Sequence, residues 1–391
     1  MSPQQNRKIL LIAAIAIIAL NLRPAISAVG PLIYEIRIDT GLSNTLLGML
    51  TTLPVLAFGV FSIFTPFFTR KFGSQGTMTL ALLLLTAGLF GRVFPSHIAL
   101  FAGTAVLGIG IALANVLLPG IVKQSFPNRY GLVTGIYSAM LGTGAAISSG
   151  ISVPLSEGLD WGWRITLGSW GVMSLLALII WLPQMKKNIP VIAKRSLSSA
   201  LKHLGTSKIA LNVALFMGFQ AFTFFTIVAW LPEILIERGM ETARAGWMLA
   251  IVQGSGVFGT FFIPSWASRR QRQRLPVAIL VGLEIFSLLG IILITNTVFA
   301  EFWMAILGFS LGGSFGMALL FIVLRTRDTE TANELSGMAQ SIGYTLAAVG
   351  PALFGGIHDI AGNWITPLLF MLIISLLKLR TGWISGRSAH V

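Results

Sequence analysis

Apolar runs of membrane-crossing length, each closed by a short polar or Pro/Gly-rich break, recur twelve times along the chain. A helix rises 1.5 Å per residue, so about 20 apolar residues cross the ~30 Å hydrocarbon layer of a bilayer. In the first half the runs fall at roughly 9–33, 44–68, 77–94, 98–121, 131–153 and 163–184. In the second half they fall at roughly 208–231, 244–266, 275–295, 299–324, 335–356 and 363–383. Spans 3 and 9 are the most clearly marked; span 11, rich in Gly and Ala, is the least hydrophobic. The pattern predicts an all-α membrane protein with twelve transmembrane helices, joined by loops too short to hold a soluble catalytic domain. The polar, basic stretch 185–207 lies midway. It divides the chain into an N-terminal six-helix bundle (1–184), a cytoplasmic linker (185–207) and a C-terminal six-helix bundle (208–391).

Arg7 and Lys8 before span 1 imitate the start of a signal peptide. The apolar run behind them is too long for one, and no small-residue cleavage site follows, so span 1 reads as an uncleaved first helix. Composition agrees with a lipid solvent. Of 391 residues, 55% are hydrophobic and 10% charged, against about 25% charged in an ordinary globular chain; mean hydropathy is +0.84. The absence of Cys removes disulfides, thiolate metal sites and Cys nucleophiles, and the four His show no paired ligand spacing. No cofactor or metal is called for, and no ATP-binding motif appears.

The net charge of +14 would suit a nucleic-acid partner, but its placement says otherwise. With the N-terminus in the cytoplasm, 21 of the 27 basic residues fall on the inner side, among them Arg70, Lys71, Arg269, Arg270, Arg325 and Lys378. Nine of the 13 acids, including Glu35, Asp39, Glu233, Glu237 and Asp359, fall on the outer side, and Arg92 is one of five basic residues there. This is the positive-inside distribution of a multi-pass membrane protein. The lipid bilayer replaces nucleic acid as the expected partner, with both termini cytoplasmic.

The halves also match each other at an offset of about 200 residues. Trp163-Arg164-Ile165-Thr166 pairs with Asn363-Trp364-Ile365-Thr366, Leu107-Gly108-Ile109-Gly110 with Leu307-Gly308-Phe309-Ser310, and Arg70 with Arg270. Parallel six-helix repeats are the arrangement of the major facilitator superfamily, which the chain resembles in architecture. The loop after span 2, Pro66-Phe67-Phe68-Thr69-Arg70-Lys71-Phe72-Gly73, keeps a basic residue and a Gly of that superfamily's loop motif but lacks its acid. Within the superfamily, several stretches are similar to the cyanate and 2-nitroimidazole transporter family: Asn21-Leu22-Arg23-Pro24 with Val29-Gly30-Pro31-Leu32, Leu50-Thr51-Thr52-Leu53-Pro54, Asn115-Val116-Leu117-Leu118-Pro119-Gly120, Ala229-Trp230-Leu231-Pro232, Leu335-Ser336-Gly337-Met338-Ala339-Gln340-Ser341, and Ile357-His358-Asp359. The resemblance implies a secondary transporter of small compounds in a bacterial inner membrane, working by alternating access. It also implies that spans 1, 4, 5, 7, 8, 10 and 11 line the cavity, and that the third helix of each triplet is peripheral.

Arg23, deep in span 1, is the most informative residue. A central Arg costs roughly 2.5–3.5 kcal/mol on insertion scales and so faces a protein interior or watery cavity. On a helix it shares a face with Ala16, Ala19, Ser27 and Gly30. It reads either as a cation for a carboxylate, cyanate or nitro group, or as a brace tied to helix carbonyls. Asn21, Asn115, Tyr137, Gln220, Gln253, Gln340 and Tyr344 are further substrate-binding candidates, though each could equally bond a neighbouring helix. Glu284, the acid well inside span 9, is the candidate for proton coupling, and its apolar neighbours also suit a peripheral helix. The Phe run of span 7 (Phe216, Phe219, Phe222, Phe224, Phe225) reads first as packing. The expected function is therefore secondary active transport of a small anionic or polar compound, cyanate-like or nitro-heterocycle-like, with proton coupling open and a monomer expected. The alternative is a proton-coupled pump expelling drugs or toxic compounds. An intramembrane enzyme would need a clustered nucleophile or metal site, and a channel would need rings of identical pore-lining groups; the sequence offers neither.

Overall fold

A computed structural model of the chain describes residues 3–126, 130–186, 204–293, 299–327, 329–388 and 391. Most of the proposed linker, 187–203, lies outside the described residues. The helices are α1 (Pro3–Leu22), α2 (Pro24–Ser27), α3 (Val29–Thr40), α4 (Asn44–Gly91), α5 (His97–Ser125), α6 (Tyr130–Val153) and α7 (Gly162–Trp181), then α8 (Lys208–Glu237), α9 (Thr242–Ala267), α10 (Arg274–Leu293), α11 (Ala300–Leu324), α12 (Thr329–Ala361) and α13 (Ile365–Ser385). Among the described residues, eleven helices are long and apolar enough to cross a membrane. The twelfth crossing by length is α12, whose polar face lowers its hydropathy, as the Gly/Ala-rich span 11 led one to expect.

Two expected breaks take an unexpected form. Spans 2 and 3 are the two limbs of α4, reversed at Gly73, whose φ of 69° and ψ of 172° suit a residue without a Cβ. Span 1 is bent twice, and prolines are the cause. Pro24 has no N–H to offer the Leu20 carbonyl, and Gly144 of α6 packs directly against that carbonyl. Pro31 likewise deprives the Ser27 carbonyl, which accepts instead from Ser149 Oγ on α6 at 3.2 Å. Thus α1–α3 is joined to α6 by the backbone groups its own prolines set free.

Large apolar side chains such as Ile179, Phe261 and Ile373 point outward, where lipid takes the place of water. Small polar residues inside bond the carbonyl one turn back, as Thr104 does to Leu100 at 2.7 Å and Ser152 to Ser148 at 2.5 Å. The two halves meet where α4 packs on α12, α6 on α9 and α3 on α8.

Three basic residues depart from the loop positions expected of them. Lys378, counted above with the inner loops, is fully buried within α13 and paired with Glu284 of α10, which also accepts from Ser375 Oγ at 2.6 Å. Hydropathy reads a Lys near a span end as solvated; here a carboxylate on the neighbouring helix holds it inside. Arg92, expected on the outer side, is buried at the end of α4 and donates to the Ala25 carbonyl at 3.1 Å. Arg325 is also buried; it donates to the Ser385 carbonyl at 2.7 Å and pairs with Gln273, tying the ends of α10, α11 and α13.

Stranding one buried charge costs about 3–5 kcal/mol, whereas replacing a buried pair with apolar groups is often neutral. Lys378→Met alone should therefore lower the melting temperature of the purified protein sharply. The double variant Lys378→Met with Glu284→Leu should restore most of it, as scanning fluorimetry of the three proteins would show.

Candidate functional site

Arg23 sits at the first bend of span 1, between α1 and α2, and its guanidinium leaves the N-terminal bundle towards α8. Its Cζ lies 5.5 Å from the centre of the Phe224 ring and 5.8 Å from that of Phe225. Tyr344 of α12 is close enough to interact electrostatically with it. Tyr344 stands edge-on to Phe58 of α4 (5.6 Å) and Phe225 (6.3 Å), and Phe58 to Phe225 (6.2 Å). Four rings from both halves therefore gather on one side of a half-buried cation. Among the described residues, the Arg23 guanidinium has no hydrogen-bond or carboxylate partner. An aromatic face attracts a cation but leaves its N–H donors unused, so the fork of Arg23 is free to receive an anion.

One turn along the same crossing from Arg23, a polar seam joins the two halves. Gln253 of α9 accepts from Ser27 Oγ at 3.0 Å, and its amide donates to the Ala145 carbonyl at 3.0 Å and to Ser149 Oγ at 2.5 Å. Farther out, at the end where α3 finishes and α4 begins, a denser cluster joins the halves. Asp359 accepts from the Asn44 amide side chain (2.8 Å), the Thr45 backbone N–H (2.8 Å) and the Thr45 hydroxyl (2.8 Å). Asn44 Nδ2 meets His358 Nδ1 at 3.0 Å, Arg37 donates to Asn44 Oδ1 at 3.1 Å, and Arg37 pairs with Glu233. His358 stacks on Trp364, with ring centres 4.0 Å apart, and the Trp364 indole donates to Glu237 at 2.6 Å. We call this cluster the latch.

The other sequence candidates are placed as follows. Asn21 donates to the Ile17 carbonyl at 2.8 Å, Gln220 to Met217 Sδ at 3.3 Å and Gln340 to Ser336 Oγ at 2.9 Å, each within its own helix. Asn115 on α5 and Tyr137 on α6 are half-buried. Glu284 lies in the α10–α13 contact with Lys378, on helices other than those that gather around Arg23. The structure thus brings Arg23 and Tyr344 together with Phe58, Phe224 and Phe225, and gives Gln253 to the seam. Phe58 carries no sequence signal that separates it from any apolar residue. The latch was readable in part: Arg37, Glu233, Glu237 and Asp359 are charges at span ends in both halves. Among the described residues, no group of three or more His, Asp or Glu is placed to hold a metal ion.

The Major Facilitator Superfamily model matches residues 9–348. The chain belongs to that superfamily. It is 38% identical over 386 residues to the 2-nitroimidazole transporter of Escherichia coli, covering 99% of this chain and 98% of the relative. It is 26% identical over 361 residues to the cyanate transport protein CynX of the same organism, covering 92% and 93%. Among solved structures, a bacterial homologue of the human lysosomal transporter Spinster, in an inward-facing and occupied conformation, superposes with a TM-score of 0.78 at 16% identity, covering 99% of this chain and 98% of that one. The superfamily fold accounts for the two facing bundles, and a multi-pass membrane transporter is what the chain is by family.

Removing Gln253 tests the seam. Gln253→Leu strands the Ser27 hydroxyl and removes the donor to Ser149 Oγ, and leaving a buried polar group unpaired costs about 1–3 kcal/mol. The closed arrangement should lose population accordingly. Nitroxide labels at the exposed positions Ile38 and Ile360, read by electron–electron resonance in a chain with no native Cys, should show a longer-distance component grow.

Proposed function

We propose that the protein carries a small anionic or polar compound, cyanate-like or nitro-heterocycle-like, across a bacterial inner membrane by alternating access, with Arg23 as its charge anchor. One observation carries the reading: a guanidinium in mid-membrane that no described residue pairs with, facing a ring-lined space between the two bundles. A planar anion satisfies both features, giving the fork two charge-assisted hydrogen bonds while its faces lie against the rings. The similarity to a 2-nitroimidazole transporter and to a cyanate transport protein supports a small cargo with an anionic or strongly polar end, since cyanate is a small anion and a nitro group carries two partly negative oxygens. On this reading Tyr344 and Phe225, on different helices of the second bundle, close around cargo held by the first, and the latch opens and seals one mouth. With both termini on the cytoplasmic side, as the basic residues suggest, the latch closes the outer mouth.

Arg23→Ala should abolish saturable uptake of [14C]cyanate and of 2-nitroimidazole by proteoliposomes while membrane insertion and monodispersity are retained. Arg23→Lys keeps the charge but loses the planar fork, and should weaken uptake by about tenfold or more. Saturable uptake by Arg23→Ala at the parent rate would refute the assignment.

A further inference from the structure

Arg37 repeats the situation of Arg23 one stage farther out. Both rise from the first crossing and both meet α8. Their contacts on that helix, Phe225 and Glu233, are eight residues apart, which is about 12 Å along the axis. Where Arg23 has no acidic partner, Arg37 has one, and the quality of that pairing is informative. The Glu233 side chain is 2% exposed, so it has given up nearly all its water. One of its oxygens is taken by Arg37, and the other is buried with no hydrogen-bond partner. The remaining acids of the latch are better served: Asp359 is held by Asn44 and Thr45, and Glu237 by the Trp364 indole, with His358 Nε2 at 3.6 Å. Arg37 keeps 28% of its side chain exposed and spends a further N–H on Asn44. A buried carboxylate satisfied on one side only is the member of the cluster that regains the most hydration when the mouth opens and water reaches it.

We infer that Arg37 is a second, mouth-level binding site for a small monoanion, occupied in the closed mouth by the Glu233 carboxylate standing in for cargo. An arriving carboxylate or isosteric anion takes the place of Glu233 on the guanidinium. The Arg37–Glu233 tie between the halves then breaks, the mouth opens, and the anion has Arg23 below it on the same crossing. Cargo and latch thereby compete for one cation, and binding itself drives opening. This rests on the reading of the cargo as an anion held by Arg23.

Equilibrium binding of [14C]benzoate to the purified full-length protein tests it, because the two members of a single ion pair should act oppositely. Glu233→Gln removes the internal competitor and should tighten binding about tenfold, whereas Arg37→Gln should weaken it about tenfold, each tenfold corresponding to ~1.4 kcal/mol. Arg37→Lys retains a charge with no fork and should fall between Arg37→Gln and the parent. A reporter thiol introduced by Thr52→Cys, at a buried position between α4 and α12 where the Thr52 hydroxyl accepts from the Ala352 N–H, measures opening independently. It should react with maleimide faster in both Glu233→Gln and Arg37→Gln, and in the parent it should react faster with benzoate than with neutral benzamide. Affinity shifts of the same sign in both variants, or no benzoate binding by the parent, would overturn the inference and leave only a structural tie. Arg23→Gln separates this from the reading beneath it. If Arg23 is not the anchor, that variant binds benzoate like the parent while the Arg37/Glu233 contrast persists. If the mouth site is absent, the contrast vanishes while Arg23→Gln still loses binding.

Discussion

The arrangement turns on a cation placed where the bilayer tolerates charge least. Insertion scales charge roughly 2.5–3.5 kcal/mol for an Arg at the centre of a crossing helix. The usual remedies, a carboxylate or a cluster of carbonyls, are absent around Arg23 among the described residues. Phe224 and Phe225 offset part of the cost through their ring faces. Contrast Lys378, on a helix towards the edge of the second bundle, whose charge is cancelled on the spot by Glu284. One buried base is neutralised within its bundle, and the other is left available.

The same economy shapes the surface between the halves. Pro24 and Pro31 take donors away from the Leu20 and Ser27 carbonyls, and α6 supplies Gly144 and Ser149 to meet them. Glycines carry the bundle contacts as well: Gly30 lies on the Val228 carbonyl, and a Cβ at Gly48 would stand 2.5 Å from the Pro351 carbonyl. Contacts of backbone against glycine are close and shallow, with no side chain that must climb out of a socket. Such surfaces can part and rejoin, as two rocking bundles require.

How much of this could be read from the sequence varied with the range of the interaction. Crossing number follows from local hydropathy and was legible, and the penalty on one charge is enough to single out Arg23 as a candidate. Even the weak twelfth crossing was marked by its Gly/Ala content. Side-chain partners across helices were not. Lys378 reads as a loop cation until Glu284 is placed beside it, and Gln253 looks no different from Gln220. Yet the first bonds two helices of the other half, and the second spends its amide on its own Met217. Phe58 joins the ring wall only because α4 and α12 pack together. Periodicity fixes which way a residue faces on its own helix, but says little about what stands opposite.

The lone charge at Arg23 has an electrical corollary. If Arg23 anchors a monoanion as proposed, and no proton travels with it, the loaded central compartment is neutral and its turnover moves no net charge through the membrane field. The empty carrier turns over with its positive charge uncovered, and a full crossing of one charge is worth about 2.3 kcal/mol per 100 mV. On that reading membrane voltage would act on the return stroke and leave the delivery stroke alone, so a cell's resting potential would bias which mouth the vacant protein presents.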